Sequence, residues 1–139
     1  MNDPYDLQRF VDAQQPVYAG ACAELRAGNK RSHWMWFVFP QLAGLGRSAI
    51  AQKFALSGAP EATAYLQDPV LGPRLLECSG LVLAVNGSGI EEIFGYPDYL
   101  KFQSCMTLFA HIDAEHDVFD ACLRKYFDGK RDPQTQARA

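Results

Sequence analysis

Apolar residues recur along the chain at three- and four-residue spacing, in segments cut apart by proline and glycine. Asp3-Pro4 opens a first helix whose inward face is Leu7, Phe10 and Val11. Pro16 suits the first turn of a second, with Val17, Ala21 and Leu25 inward and Gly28 as its stop. Arg47 to Leu56 carries Ala49, Ile50, Lys53 and Phe54 at helical spacing, with Gly58 behind them. Pro60-Glu61 begins a short helix through Tyr65 and Leu66, and Asp68-Pro69 breaks the chain again. Leu75, Leu76, Ser79 and Leu83 form the stripe of a helix spanning Pro73 to Leu83, followed by the Asn86-Gly-Ser-Gly89 loop. Ile90 to Phe94 reads as a single helical turn. Pro97 begins a longer helix through Phe109, and Asp113 or Glu115 begins a last one that ends at Phe127.

Only Trp34 to Phe39 is strand-like, and a lone strand has nothing to bond with. The pattern therefore predicts an all-α fold: a single multihelical domain of about 6–8 helices spanning 3–130, with an irregular aromatic connector and more than half its residues helical. Residues 131–139 are polar and read as a frayed C-terminal tail.

Length and composition add bounds. At 139 residues, 48% hydrophobic and 21% charged, the chain suits one globular domain with a sound core. A net charge of −3 argues against a general nucleic-acid binder. No apolar run approaches a membrane span, the longest candidate being Leu81 to Val85, and the first residues lack an export-signal pattern. The expectation is a cytoplasmic protein. Cys22, Cys78, Cys105 and Cys122 are dispersed, without the close pairs of a zinc site, and read as buried free thiols. Neither a metal nor a cofactor is expected.

The segment Ser32-His-Trp-Met-Trp-Phe-Val-Phe-Pro-Gln41 holds both tryptophans and is followed by Gly44-Leu-Gly-Arg-Ser48. With Leu7-Gln-Arg-Phe10, Glu61-Ala-Thr-Ala-Tyr-Leu66, Pro69-Val-Leu-Gly-Pro-Arg-Leu75 and Ile93-Phe-Gly-Tyr-Pro-Asp98, it resembles the bacterial and plant domain-of-unknown-function family DUF1810 over about residues 3–130. That resemblance implies a helical fold and brings no established activity. The family pattern often has an acidic residue where this chain has Tyr99, and a serine where it has Cys105. A fainter likeness, through helical order and Ala51-Gln-Lys-Phe54, is to an NAD- and ADP-ribose-associated helical family.

Candidate chemistry concentrates on the same segment. Gly44-Leu-Gly-Arg-Ser-Ala49 matches Gly-x-Gly-x-x-Ala, but Pro40 to Ala43 separates it from the strand-like run and Thr63 to Leu66 is a helical fragment, so the match reads as chance unless a parallel sheet is found there. A weaker reading survives, in which the glycine-rich approach to a helix capped by Ser48 receives an anion, with Lys30, Arg31 and Arg47 adding charge. His33 is the candidate general base and Asp98 the carboxylate to orient it, with Lys101 on the same helical face as Asp98. Trp36 and Gln41 complete the candidate ligand-binding set. His111 and His116 have poor spacing for a shared metal, and Gly87-Ser-Gly89 is no nucleophile elbow.

Two functional expectations follow. One is binding of, or action on, a phosphorylated or nucleotide-like small molecule at the aromatic connector. The other is a non-enzymatic protein-interaction module whose aromatic segment is purely structural. The first requires a concave pocket with Trp36 or His33 partly open; the second requires neither.

Overall fold

In the computed structural model, which describes residues 2–139, two long helices are tied into a closed ring by two others. The long ones are α6 (Leu71–Ala84) and α8 (Asp98–Ile112). Both pack on α5 (Ala59–Gln67) and on α9 (Val118–Phe127). Tyr65 of α5, Phe109 of α8 and Phe119 of α9 meet inside the ring at centroid separations of 5.8 and 5.6 Å. All three are fully buried. Outside the ring, α2 (Tyr18–Arg26) lies on α6, while α1 (Gln8–Gln14) lies on α3 (Met35–Val38). The remaining helices are α4 (Ala49–Lys53), α7 (Ile90–Phe94) and α10 (Pro133–Arg138), the last two resting on α8.

The described residues are 61% helical and contain no strand, so the chain is all-α. Six helices have seven or more residues and four are shorter. Local signals explain most starts. The Asp3 carboxylate accepts from the Leu7 and Gln8 amides at 2.8 and 3.0 Å, capping α1 as its position suggested. Gly28, with a φ of 69°, stops α2 in a left-handed turn that glycine enters without a Cβ clash.

The helix expected to begin at Asp113 or Glu115 begins at Val118, with Asp113 closing α8 instead, and three other segments depart further from the sequence pattern. The helix expected over Arg47 to Leu56 covers only Ala49–Lys53. Leu56 is instead buried in a parallel bridge to Leu42, with the Leu56 amide donating to the Gln41 carbonyl and the Ala43 amide to the Leu56 carbonyl, both at 2.8 Å. This bridge supplies partners for connector backbone that helix would have left unpaired. The strand-like Trp34 to Phe39 contains the single helical turn α3, because Trp34, Met35, Phe37, Val38 and Phe39 are all buried and no alternation is required. Within residues 131–139, expected to fray, Pro133–Arg138 forms α10. Asp132 caps it by accepting from the Thr135 amide at 3.1 Å, and Thr135 is fully buried against the rest of the chain.

A polar pair fastens α1 to the following segments. The Arg9 guanidinium donates to Glu61 at 3.0 Å and to the carbonyls of Tyr5, Asp6, Lys53 and Ala55. Glu61 also accepts from the amide and hydroxyl of Ser57, each at 2.9 Å. Glu61 is buried and Arg9 largely so, but every donor and acceptor in the pair is matched inside the chain, as a structural pair needs.

The four cysteines are buried and free. Burial pushes the Cys78 and Cys105 thiols up, and carries Cys122 to about 12 despite the opposing Lys125 charge. Thiolate is the reactive form, so these groups are doubly protected. In native protein at pH 8, iodoacetamide is expected to modify Cys78, Cys105 and Cys122 far more slowly than in denaturant, where mass measurement should find all four cysteines alkylated. Rapid native labelling of any of the three would refute their placement. The tryptophans give a second check: Trp34 is 1% exposed, whereas Trp36 is only half-buried. Trp34→Ala is expected to cost about 3–5 kcal/mol in urea denaturation and Trp36→Ala clearly less.

Candidate functional site

The connector between α2 and α3 is organised by one carboxylate. Glu24, near the end of α2, accepts from the Arg31 amide at 2.8 Å, the Ser32 amide at 3.0 Å, the Ser32 hydroxyl at 2.6 Å and the Trp34 indole N–H at 3.0 Å. Partial burial pushes its carboxyl up, but the four donors outweigh this and hold it down at about 2, against an ordinary 4.5. Further on, the Gln14 amide donates to the Phe37 carbonyl at 2.7 Å and to the Tyr65 hydroxyl at 3.0 Å. Phe39 then inserts between α7 and α8, edge-on to Phe94 at 5.8 Å and to Phe102 at 5.1 Å. The Lys30 amide donates to the Ile93 carbonyl at 2.7 Å, locking the connector to α7.

These contacts bring Lys30, Asp98 and Lys101 together. Lys30 Nζ lies 2.9 Å from Asp98 Oδ2, and Lys101 Nζ lies 3.2 Å from Asp98 Oδ1. Lys30 Nζ also donates to the Ser32 carbonyl at 2.6 Å. Each ammonium sits over an indole, Lys30 at 5.0 Å from Trp34 and Lys101 at 5.7 Å from Trp36. The side chains are 8%, 19% and 23% exposed for Lys30, Asp98 and Lys101, so all three charges are largely withdrawn from water. Two ammonium groups share one carboxylate, leaving a formal charge of +1. Of the three N–H donors on Lys101, one is taken by Asp98.

Lys101 and Gln41 also line a surface cleft of about 400 Å³ between the connector, the first turns of α8 and the start of α10. Asp132 and Gln134 form its far wall. These two lay in the supposed tail, although Asp132-Pro133, a capping residue before a first-turn proline, was a legible helix-start signal. Glu24 had no local signal, because its partners lie across a turn of chain.

The candidate residues therefore separate. Lys30, Asp98, Lys101 and Trp36 form one cluster, and Gln41 reaches it through the shared cleft. His33 is exposed, and its ring makes no hydrogen bond among the described residues, to Asp98 or otherwise. Ser48 accepts from the Ala51 amide at 3.1 Å and so caps α4, which is only five residues long. Arg47 follows the lining residue Gly46, but its side chain is exposed and outside the lining. Gly44, with a φ of 92°, abuts the Arg138 guanidinium of α10, at 2.6 Å from where a Cβ would stand. The glycine-rich turn is thus a packing surface for the last helix.

Fold and site together define an all-helical domain in which an interior aromatic connector carries a lysine–carboxylate cluster to the lip of a cleft. The chain belongs to the family described as protein of unknown function DUF1810, whose model matches residues 4–139, as its motifs indicated. Among solved structures it is similar to the conserved hypothetical protein Rv1873 from Mycobacterium tuberculosis, at 58% identity over 97% of this chain and 96% of that one, with a TM-score of 0.96. No curated protein matches it. Among the described residues no helix is long and apolar enough to cross a membrane.

Glu24 makes connector stability depend on acid. Its folded value of about 2 lies below the ordinary 4.5, so its contribution is full above about pH 4.5 and is lost as pH falls towards 2. Glu24→Gln, which keeps the shape but removes acceptor capacity and charge, is expected to lower stability at pH 7 by about 1.5–3 kcal/mol. The gap from wild type in urea melts should close between pH 4.5 and 2. A pH-independent gap would show that the charge of Glu24 plays no part.

Proposed function

We propose that the protein binds a phosphorylated small molecule, with Lys30 and Lys101 as the anion cradle and Asp98 as the group that holds them in place. The observation that supports this most directly is the excess of charge: two largely buried ammonium groups on one carboxylate. Withdrawn lysines are stable only when paired, and one carboxylate leaves a positive charge that an oxyanion neutralises. The free donors of Lys101 face such a ligand with charge-assisted hydrogen bonds. Gln41 lines the cleft beside Lys101, and the half-buried Trp36 indole backs the Lys101 ammonium from outside that lining. In this reading Asp98 is a positioning residue, since both its oxygens are held by lysines.

One observation favours the alternative of a protein-interaction module. Tyr96 is 78% exposed and Leu100 41%, with Tyr99 packed beside Tyr96 at 6.1 Å, so an apolar patch adjoins the cluster. The two readings part on whether a small anion binds.

A thermal-shift screen of inorganic phosphate, sugar phosphates and nucleotides should raise Tm with at least one of them. Lys101→Gln is expected to weaken that compound about 10- to 100-fold, the loss of one charged hydrogen bond, while changing the unliganded Tm little. The reading fails if nothing phosphorylated binds, or if what binds is indifferent to Lys101.

A further inference from the structure

The walls of the cleft beside Lys101 have a chemistry of their own, and it narrows the ligand. Asp132 Oδ2 is occupied by the Ser104 hydroxyl at 3.2 Å and by the Thr135 amide at 3.1 Å, which fixes the carboxylate. Its other oxygen, Oδ1, has no hydrogen bond among the described residues. The side-chain amides of Gln41 and Gln134 are likewise without one. The lining thus offers one anchored carboxylate oxygen and the two unbonded carboxamides of Gln41 and Gln134, with Lys101 at one side; a third, Gln103, has its amide nitrogen taken by the Lys130 carbonyl at 3.0 Å.

We infer that the cleft takes the phosphate monoester of a small polyol, such as a pentose phosphate, with phosphate on Lys101 and hydroxyls on Gln41, Gln134 and Asp132. This rests on the lysine cluster being an anion cradle and adds what lies next to the anion. A sugar hydroxyl both donates and accepts, as a carboxamide does, and a carboxylate oxygen accepts from hydroxyls. Other phosphorylated ligands fit less well. No aromatic ring lines the cleft among the described residues, so a purine or pyrimidine has nothing there to stack on. Asp132 opposes a second phosphate by like-charge repulsion. At about 400 Å³ the cleft is at the small end of ligand sites, the scale of a single sugar phosphate.

The inference also gives α10 a task. The helix is capped by Asp132 and carries Gln134, so the last residues of the chain build the polyol wall as well as covering α8.

Isothermal titration of the full chain with inorganic phosphate, ribose, ribose-5-phosphate and adenosine monophosphate tests it. Ribose-5-phosphate is expected to bind about tenfold or more tightly than either inorganic phosphate or ribose, the gain from two or three added hydrogen bonds. Gln41→Ala and Gln134→Ala should each weaken ribose-5-phosphate about three- to tenfold and leave inorganic phosphate unchanged, whereas Lys101→Gln weakens both. Gln134 is exposed, so that variant is informative even if Gln41→Ala folds poorly. The inference is overturned if inorganic phosphate and ribose-5-phosphate bind alike, if neither glutamine variant alters the sugar phosphate, or if adenosine monophosphate binds more tightly than ribose-5-phosphate. In each of those cases a response to Lys101 leaves the anion cradle standing, and the absence of any such response removes both.

Discussion

The Glu24 carboxylate collects four hydrogen bonds from Arg31, Ser32 and Trp34, and the placement of the remaining connector depends on it. A segment that runs through the interior without a sheet must find partners for its backbone elsewhere. Here they come from side chains on neighbouring helices: Glu24 at its entry, and Gln14 on the Phe37 carbonyl farther along. With those contacts made, Trp34, Met35, Phe37, Val38 and Phe39 all turn inward, and Phe39 wedges against α7 and α8. The connector is therefore the element against which the helices are assembled, and the site inherits its rigidity.

The chain holds two withdrawn ionic groups with opposite designs. Arg9 and Glu61 are paired one to one, and their remaining donors and acceptors go to backbone carbonyls and to Ser57. Nothing is left over, as befits a fastening. Lys30, Asp98 and Lys101 are paired two to one, beside a cleft, with donors to spare. Desolvating an excess charge costs stability, a cost that the proposed oxyanion would offset. This contrast, more than the presence of lysines as such, separates the candidate site from the rest of the polar interior.

Much of the site was legible residue by residue, while its grouping was not. Lys30, Trp36, Gln41, Asp98 and Lys101 were all singled out from the sequence, and three-residue spacing put Asp98 and Lys101 on one face. That Lys30 reaches the same carboxylate could not be read, because the contact spans nearly half of the chain and depends on how α7 meets the connector. His33 stands beside Trp34 in sequence, yet the indole turns inward while the imidazole stays in solvent. Adjacent residues in an irregular segment point wherever packing sends them, so no period predicts the outcome. Ser48 was rightly read as a cap, but its helix is only five residues long, and the turn before it packs Gly44 against Arg138 instead.

By itself the sequence determined the helical class, most helix starts, the burial of the cysteines and the family, because spacing, capping and composition act within a few residues of chain. The tertiary structure decided which charges share a partner, which tryptophan is sealed and which is half-open, and that Asp132 and Gln134 near the end of the chain line the cleft. Those are questions of contact between segments far apart in the chain. The same local patterns are compatible with many such contacts, and only the free energy of the packed whole selects among them.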